Sequence, residues 1–255
     1  MADQETIESY DQSAEDWAKR QRHGTNMAHQ YLEKPAMYGK LPNLGGLSVL
    51  ALGCGSGEEC DYLKKRGAGR VVGVDMSRGL IEQAKYAFPD IEFEVMDIEK
   101  IKFPEQTFDY AYSSLAMHYA EDWRNVLKPL HRVLKPEGVF LFSTHHPVNW
   151  GAGGPKEAGA KTSLLGFERT EDDSYTIYGD YLNSRKINNN LTEKIKVSYY
   201  HKPLSEIIRE ILDSGFEIID FLEPKALEGA KKERPEFYEV RQKIPLFMIF
   251  ELRKK

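Results

Sequence analysis

The chain has 255 residues, 41% of them hydrophobic, enough for one substantial domain whose core needs neither metal nor disulfide staples. Its 35 basic and 40 acidic residues leave a net charge of −5, which argues against a nucleic-acid backbone as main partner. No apolar run nears the roughly 20 residues that span a bilayer, the acidic polar opening has no signal-peptide pattern, and the two cysteines, Cys54 and Cys60, are too few for a disulfide framework or a structural zinc site, so a cytoplasmic protein with no membrane partner is expected.

In chain order, residues 6–40 hold two amphipathic helical stretches, with Tyr10, Ala14 and Trp17 spaced on one face. The apolar run 47–52 ends at Gly53, as a buried parallel strand does, and a helix follows over 58–66. Residues 70–75 read as a second strand, Ser77 as the cap of a helix to about residue 87, 91–96 as a third strand and 108–114 as a fourth. A helix over 122–134 closes in the turn Lys135-Pro136-Glu137-Gly138 and leads into a fifth strand at 139–144. This alternation predicts right-handed crossovers and a parallel sheet covered by helices on both faces. Gly151-Ala152-Gly153-Gly154-Pro155 then reads as a flexible turn. Residues 174–182 and 193–200 read as two strands of one inserted hairpin, with Asn188-Asn189-Asn190 as turn-like sequence between them. A helix over 203–214, a strand over 216–222, a charged connection over 225–243 and a last strand over 245–252 complete the chain.

The densest chemical signal is Val49-Leu50-Ala51-Leu52-Gly53-Cys54-Gly55-Ser56-Gly57, a strand running into a glycine turn and then a helix. Such a turn lets the backbone approach a ligand closely at the positive end of the helix. A dinucleotide site wants a third glycine where Glu58 stands, and that negative charge disfavours a pyrophosphate, so a dehydrogenase reading loses to a ligand carrying an amino acid. Asp75, at the end of the second strand with Met76 beside it, suits two ribose hydroxyls. Asp97-Ile98 after the third strand suits an adenine amino group and ring.

With Phe103-Pro104-Glu105-Gln106-Thr107-Phe108-Asp109 opening the fourth strand, and Leu134-Lys135-Pro136-Glu137-Gly138 before the fifth, the chain resembles the class I S-adenosylmethionine-dependent methyltransferases, most closely over residues 10–145. The resemblance implies an α/β fold, a seven-stranded, mostly parallel Rossmann-like sheet with its last strand antiparallel. It implies one methyltransferase domain over 1–255: an N-terminal helical cover (1–44), a cofactor-binding core (45–146), a substrate-side insertion forming a β-hairpin lid after strand five (147–202) and a C-terminal completion of the sheet (203–255). S-adenosylmethionine is the implied cofactor and S-adenosylhomocysteine its product, with contacts at Tyr10, Gly53, Cys54, Gly55, Asp75, Met76, Asp97, Ile98 and Ser114; Cys54 is read there as a small packing side chain. One departure stands out. The family often carries an acid where this chain has Ala51, so either Glu58 or Glu59 takes over part of its role or cofactor affinity is lower.

In-line methyl transfer needs alignment, and a base only where the acceptor must lose a proton. His118 after the fourth strand and His146 at the end of the fifth are the candidate bases or orienters. His145, His201, Tyr178 and Tyr200 are candidate substrate contacts, and strand alternation keeps His145 and His146 from sharing a role. The expected acceptor is an oxygen or nitrogen of a small organic metabolite. A methyltransferase acting on a macromolecule and a non-catalytic module that holds the cofactor for a partner are the alternatives. No metal is called for.

Overall fold

The computed structural model describes residues 2–24, 26–152 and 164–255; Gly153, Gly154 and Pro155 of the expected flexible turn lie outside them. The chain opens with helices α1 (Gln4–Gln12) and α2 (Ala14–Arg22), a π-helical turn (His29–Glu33) and α3 (Lys34–Gly39). Asp3 caps α1 by accepting the Thr6 N–H at 2.9 Å. Strand β1 (Ser48–Leu52), helix α4 (Glu58–Lys65), β2 (Arg70–Asp75), α5 (Arg78–Ala87), β3 (Glu92–Val95) and β4 (Phe108–Ser114) follow. After a 3₁₀ turn (Met117–Tyr119) come α6 (Arg124–Val133), β5 (Leu134–His145) and α7 (Pro147–Gly151). The later chain supplies β6 (Gly166–Arg169), β7 (Tyr175–Tyr178), β8 (Arg185–Asn190), β9 (Lys196–His201), α8 (Leu204–Asp213), β10 (Phe216–Leu222), α9 (Gly229–Glu233), α10 (Pro235–Arg241) and β11 (Phe247–Lys254).

Seven strands form one sheet in the order β10-β11-β5-β4-β1-β2-β3. β11 runs antiparallel to both β5 and β10, and the β1 to β5 pairs are parallel. This is a Rossmann-like sheet. Alternation along each strand divides the core in two. Leu50 and Leu52 face Leu127 and Leu130 of α6 and Ile211 of α8, whereas Val49 and Ala51 face Met37 of α3, Leu63 of α4 and Ile81 of α5. Strand order reverses between β1 and β4, and their carboxyl ends open the crevice where such sheets bind ligands.

Four local expectations need correction. The insertion holds two hairpins, with β6 paired to β7 and β8 to β9, where one was expected. Asn188, Asn189 and Asn190 lie inside β8, their low strand propensity overridden by the ladder to β9 and by a bond from Ser198 Oγ to Asn188 Oδ1. The reversal falls at Thr192, whose hydroxyl accepts the N–H groups of Lys194 and Ile195. Residues 135–138 are carried within β5, where Glu137 takes φ +62° and the ladder to β4 slips. The charged connection 225–243 contains α9 and α10.

Candidate active site

The glycine turn leaves β1 with Gly53, Gly55 and Gly57 all at positive φ, 64°, 53° and 91°. At Gly53 a side chain is excluded twice over, because a Cβ there would also stand 2.4 Å from the Cβ of Ala116. Asp75 ties the turn to β2: Gly55 N–H donates to its Oδ2 and Ser77 N–H to its Oδ1, each at 2.9 Å. Burial raises the Asp75 pKa, and those N–H groups act against the rise. Asp97 takes the Glu99 N–H on Oδ1 at 2.9 Å. Its Oδ2 is buried with no hydrogen-bond partner, Lys100 Nζ standing at ion-pair distance, 3.7 Å.

These groups line one cleft, which encloses about 1240 Å³ with its open mouth included. Tyr10, Gly53, Cys54, Gly55, Asp75, Met76, Asp97, Ile98 and Ser114 all lie on its wall, as do His118 and His145. The N-terminal helices close one side. Asp11 on α1 accepts Ser77 Oγ–H at 2.6 Å and Gly79 N–H at 2.9 Å, which docks α1 on the start of α5. The Tyr10 and Tyr119 hydroxyls, both on the cleft wall, share a 2.7 Å bond. Ser198 N–H on β9 donates to Thr6 Oγ1, and Lys186 on β8 pairs with Asp3, so the second hairpin is fastened to the same cover.

His118 and His145 stack with ring centroids 3.8 Å apart and planes 12° apart. Tyr199 meets both rings edge-on at 4.8 Å. Burial, with His145 as neighbour, pushes the His118 pKa well below its ordinary value, so the imidazole stays neutral near pH 7. The remaining sequence candidates fall elsewhere. His146 faces away from His145 by strand alternation; its Nδ1 caps α7 through Val148 N–H, and its Nε2 lies 2.7 Å from Glu223. His201 Nε2 is held 2.9 Å from the Tyr181 carbonyl, and both His201 and Tyr200 line a small cavity behind the stacked histidines. Tyr178 lies on β7 and donates to Glu168, away from both cavities. His146, His201, Tyr178 and Tyr200 do not line this cleft.

Several cleft residues escaped sequence reasoning. His29 and Tyr119 line the cleft, as does Tyr199 where its neighbour Tyr200 was preferred. Glu33 is fully buried behind Ser114. His29, Glu33 and Met37 recur every four residues, a helical signal that places them on one side without saying what that side meets. Among the described residues no three His, Cys, Asp or Glu side chains gather as a metal site would require.

The fold and cleft define a Rossmann-like protein that binds a nucleoside-bearing ligand at its sheet switch point. Comparison with known proteins narrows the class. A methyltransferase-domain family matches residues 50–142. A solved S-adenosylmethionine-dependent methyltransferase from Mesorhizobium loti is 31% identical, superposes with a TM-score of 0.69, and is aligned over 89% of this chain and 98% of its own. An uncharacterized protein of Haemophilus influenzae is 29% identical over 231 residues, 87% of each chain. The malonyl-[acyl-carrier protein] O-methyltransferase of Salmonella typhimurium is 37% identical over 97 residues, a match spanning 38% of its length. The chain belongs to the class I S-adenosylmethionine-dependent methyltransferases and is such an enzyme. The cleft fits that cofactor, with a turn too close for side chains, a carboxylate at the end of β2 and a buried oxygen on Asp97 that has no hydrogen-bond partner.

Proposed function

We propose that the enzyme transfers the methyl group to an oxygen or nitrogen of a small organic metabolite by in-line displacement. The observation that carries this reading is the wall beyond the glycine turn. There His118, His145, Tyr119 and Tyr199 enclose an aromatic end, and no Lys or Arg occurs among the described residues lining the cleft. Such a wall suits a partly apolar acceptor that is neutral or basic, and offers nothing to a phosphate or a nucleic-acid backbone.

Bound in the cleft, S-adenosylmethionine supplies a methyl group already activated on a sulfonium. In this reading Asp75 holds the ribose hydroxyls, Asp97 Oδ2 takes the adenine amino group, and Ile98 packs on the ring. His118, neutral and stacked on His145, orients the acceptor and accepts its proton where one must leave. Tyr10 and the cover exclude water from the methyl donor.

The malonyl-[acyl-carrier protein] O-methyltransferase among the relatives makes a protein-borne acceptor the competing reading. It would draw on the face of the β6–β7 hairpin, where Phe167 and Ile177 are 71% and 75% exposed. Incubation with methyl-labelled S-adenosylmethionine separates the two. Label is expected in the low-molecular-mass fraction of a cell extract, and label confined to protein or RNA would defeat the small-molecule reading.

A further inference from the structure

Glu33 ends the π-helical turn with no surface exposed to solvent. Its Oε1 accepts hydrogen bonds from Ser114 Oγ at 2.9 Å and Ser143 Oγ at 2.5 Å, and its Oε2 has no hydrogen-bond partner. Ser143 Oγ in turn accepts the Leu115 N–H at 3.1 Å. Ser114 and Leu115 line the cofactor cleft, and Leu115 holds φ +53°, a left-handed conformation that a leucine adopts only when its surroundings enforce it. The next residue, Ala116, closes on Gly53 of the glycine turn. One carboxyl therefore braces, through two serines, the wall facing that turn.

The charge on that carboxyl is poorly compensated. Lys34, its chain neighbour, is paired with Glu59 of α4 at 2.8 Å, and Glu59 itself repels a Glu33 anion. The phenols that face it, Tyr38 of α3 and Tyr112 of β4, are held un-ionised by burial. Burial pushes the Glu33 pKa up to about 7. Tyr112 is also the register partner of Ala51, so Glu33 approaches the same corner of the sheet where β1 carries no acid. S-adenosylmethionine carries a sulfonium, an ammonium and a carboxylate, one net positive charge, and its cationic groups would enter the cleft beside that corner.

We propose that Glu33 is a positioning residue for the cofactor, which holds the Ser114–Leu115 wall and supplies from the N-terminal segment the negative charge absent at Ala51, releasing its proton to solvent as the cationic ligand enters. The O–H bond of the carboxyl breaks, the proton passes to buffer, and the carboxylate keeps both serine bonds. This inference rests on the cofactor and is independent of which acceptor the enzyme uses.

Calorimetry on the intact protein tests it, in buffers of different ionisation enthalpy. S-adenosylmethionine binding should release up to one proton near and just below pH 7 and should tighten as pH rises through that range. 5′-Methylthioadenosine, which is neutral because it lacks the sulfonium and the whole amino-acid group, should bind with no such release. Glu33→Gln, nearly isosteric, should abolish the release and weaken S-adenosylmethionine binding by about tenfold. Adding Ala51→Asp to that variant should recover part of the loss. PH-independent binding to the wild type with no proton release overturns the proposal whether or not the variant folds. So does an equal release with methylthioadenosine, or a folded Glu33→Gln protein of unchanged affinity.

Discussion

At Asp75 one carboxylate holds two backbone N–H groups, from Gly55 and Ser77, and so joins the glycine turn to the cap of α5. Asp75→Ala leaves both donors unsatisfied and is expected to weaken S-adenosylhomocysteine binding by about 1–3 kcal/mol, as read by calorimetry. At Glu33, too, burial raises the carboxyl pKa. Its folded pKa, about 7, lies above the ordinary value of 4.5, so between these values the folded state binds the extra proton. Its contribution to stability is therefore largest below about pH 4.5 and declines as pH rises toward 7. The melting temperature of the ligand-free protein should carry that decline, and Glu33→Gln should flatten it. His118 is held neutral by burial, so kcat/KM for the acceptor should show no inflection from this group between about pH 6 and 8. His118→Ala and His145→Ala should each lower kcat with little change in S-adenosylhomocysteine affinity. Of these residues, Asp75 was legible because a carboxylate ending a strand after a glycine turn has a local meaning. Glu33 was not, since a lone acid in an amphipathic stretch gives no sign of the serines that will meet it.

At the scale of elements, the cover depends on a close approach between α1 and α5. A Cβ at Gly79 would lie 2.9 Å from the Asp11 carbonyl oxygen and from the Ala14 Cβ, so Gly79→Ala must push α1 outward. Overpacking of this kind costs about 1–3 kcal/mol. Faster hydrogen exchange over residues 4–22 and weaker cofactor binding are expected, with the sheet's own protection unchanged. The insertion shows how far element reading from sequence reached. The strand around 196–201 was visible from its apolar and aromatic alternation, but its partner was hidden in an asparagine run that looks like a turn. Turn chemistry was present one step further on, at Thr192, where a single hydroxyl accepts two backbone N–H groups. Strand pairing is a long-range choice, and local propensity lost to it.

Over the whole molecule, stability is concentrated in the two apolar layers on either side of the sheet. Phe142 is buried between Phe140, Phe250 and Trp123 on the α6 side, and Phe142→Ala should cost about 3–5 kcal/mol, read as a lower denaturant midpoint at unchanged slope. The cleft opens where those layers end, at the carboxyl edge of β1 and β4. Its remaining walls come from the N-terminal helices and from β9, which are distant in sequence.

The sequence by itself determined the alternation of strands and helices, the glycine turn and the spacing of the acids that follow it. Each of these is backbone or periodic chemistry complete within a few residues. Only the tertiary structure decided which of two adjacent histidines faces the cleft, that Tyr199 and not Tyr200 lines it, and that His29 and Glu33 belong beside it. Those outcomes depend on strand register and on how the cover docks against α5 and β9, through contacts such as Asp11–Ser77 and Thr6–Ser198, 66 and 192 residues apart.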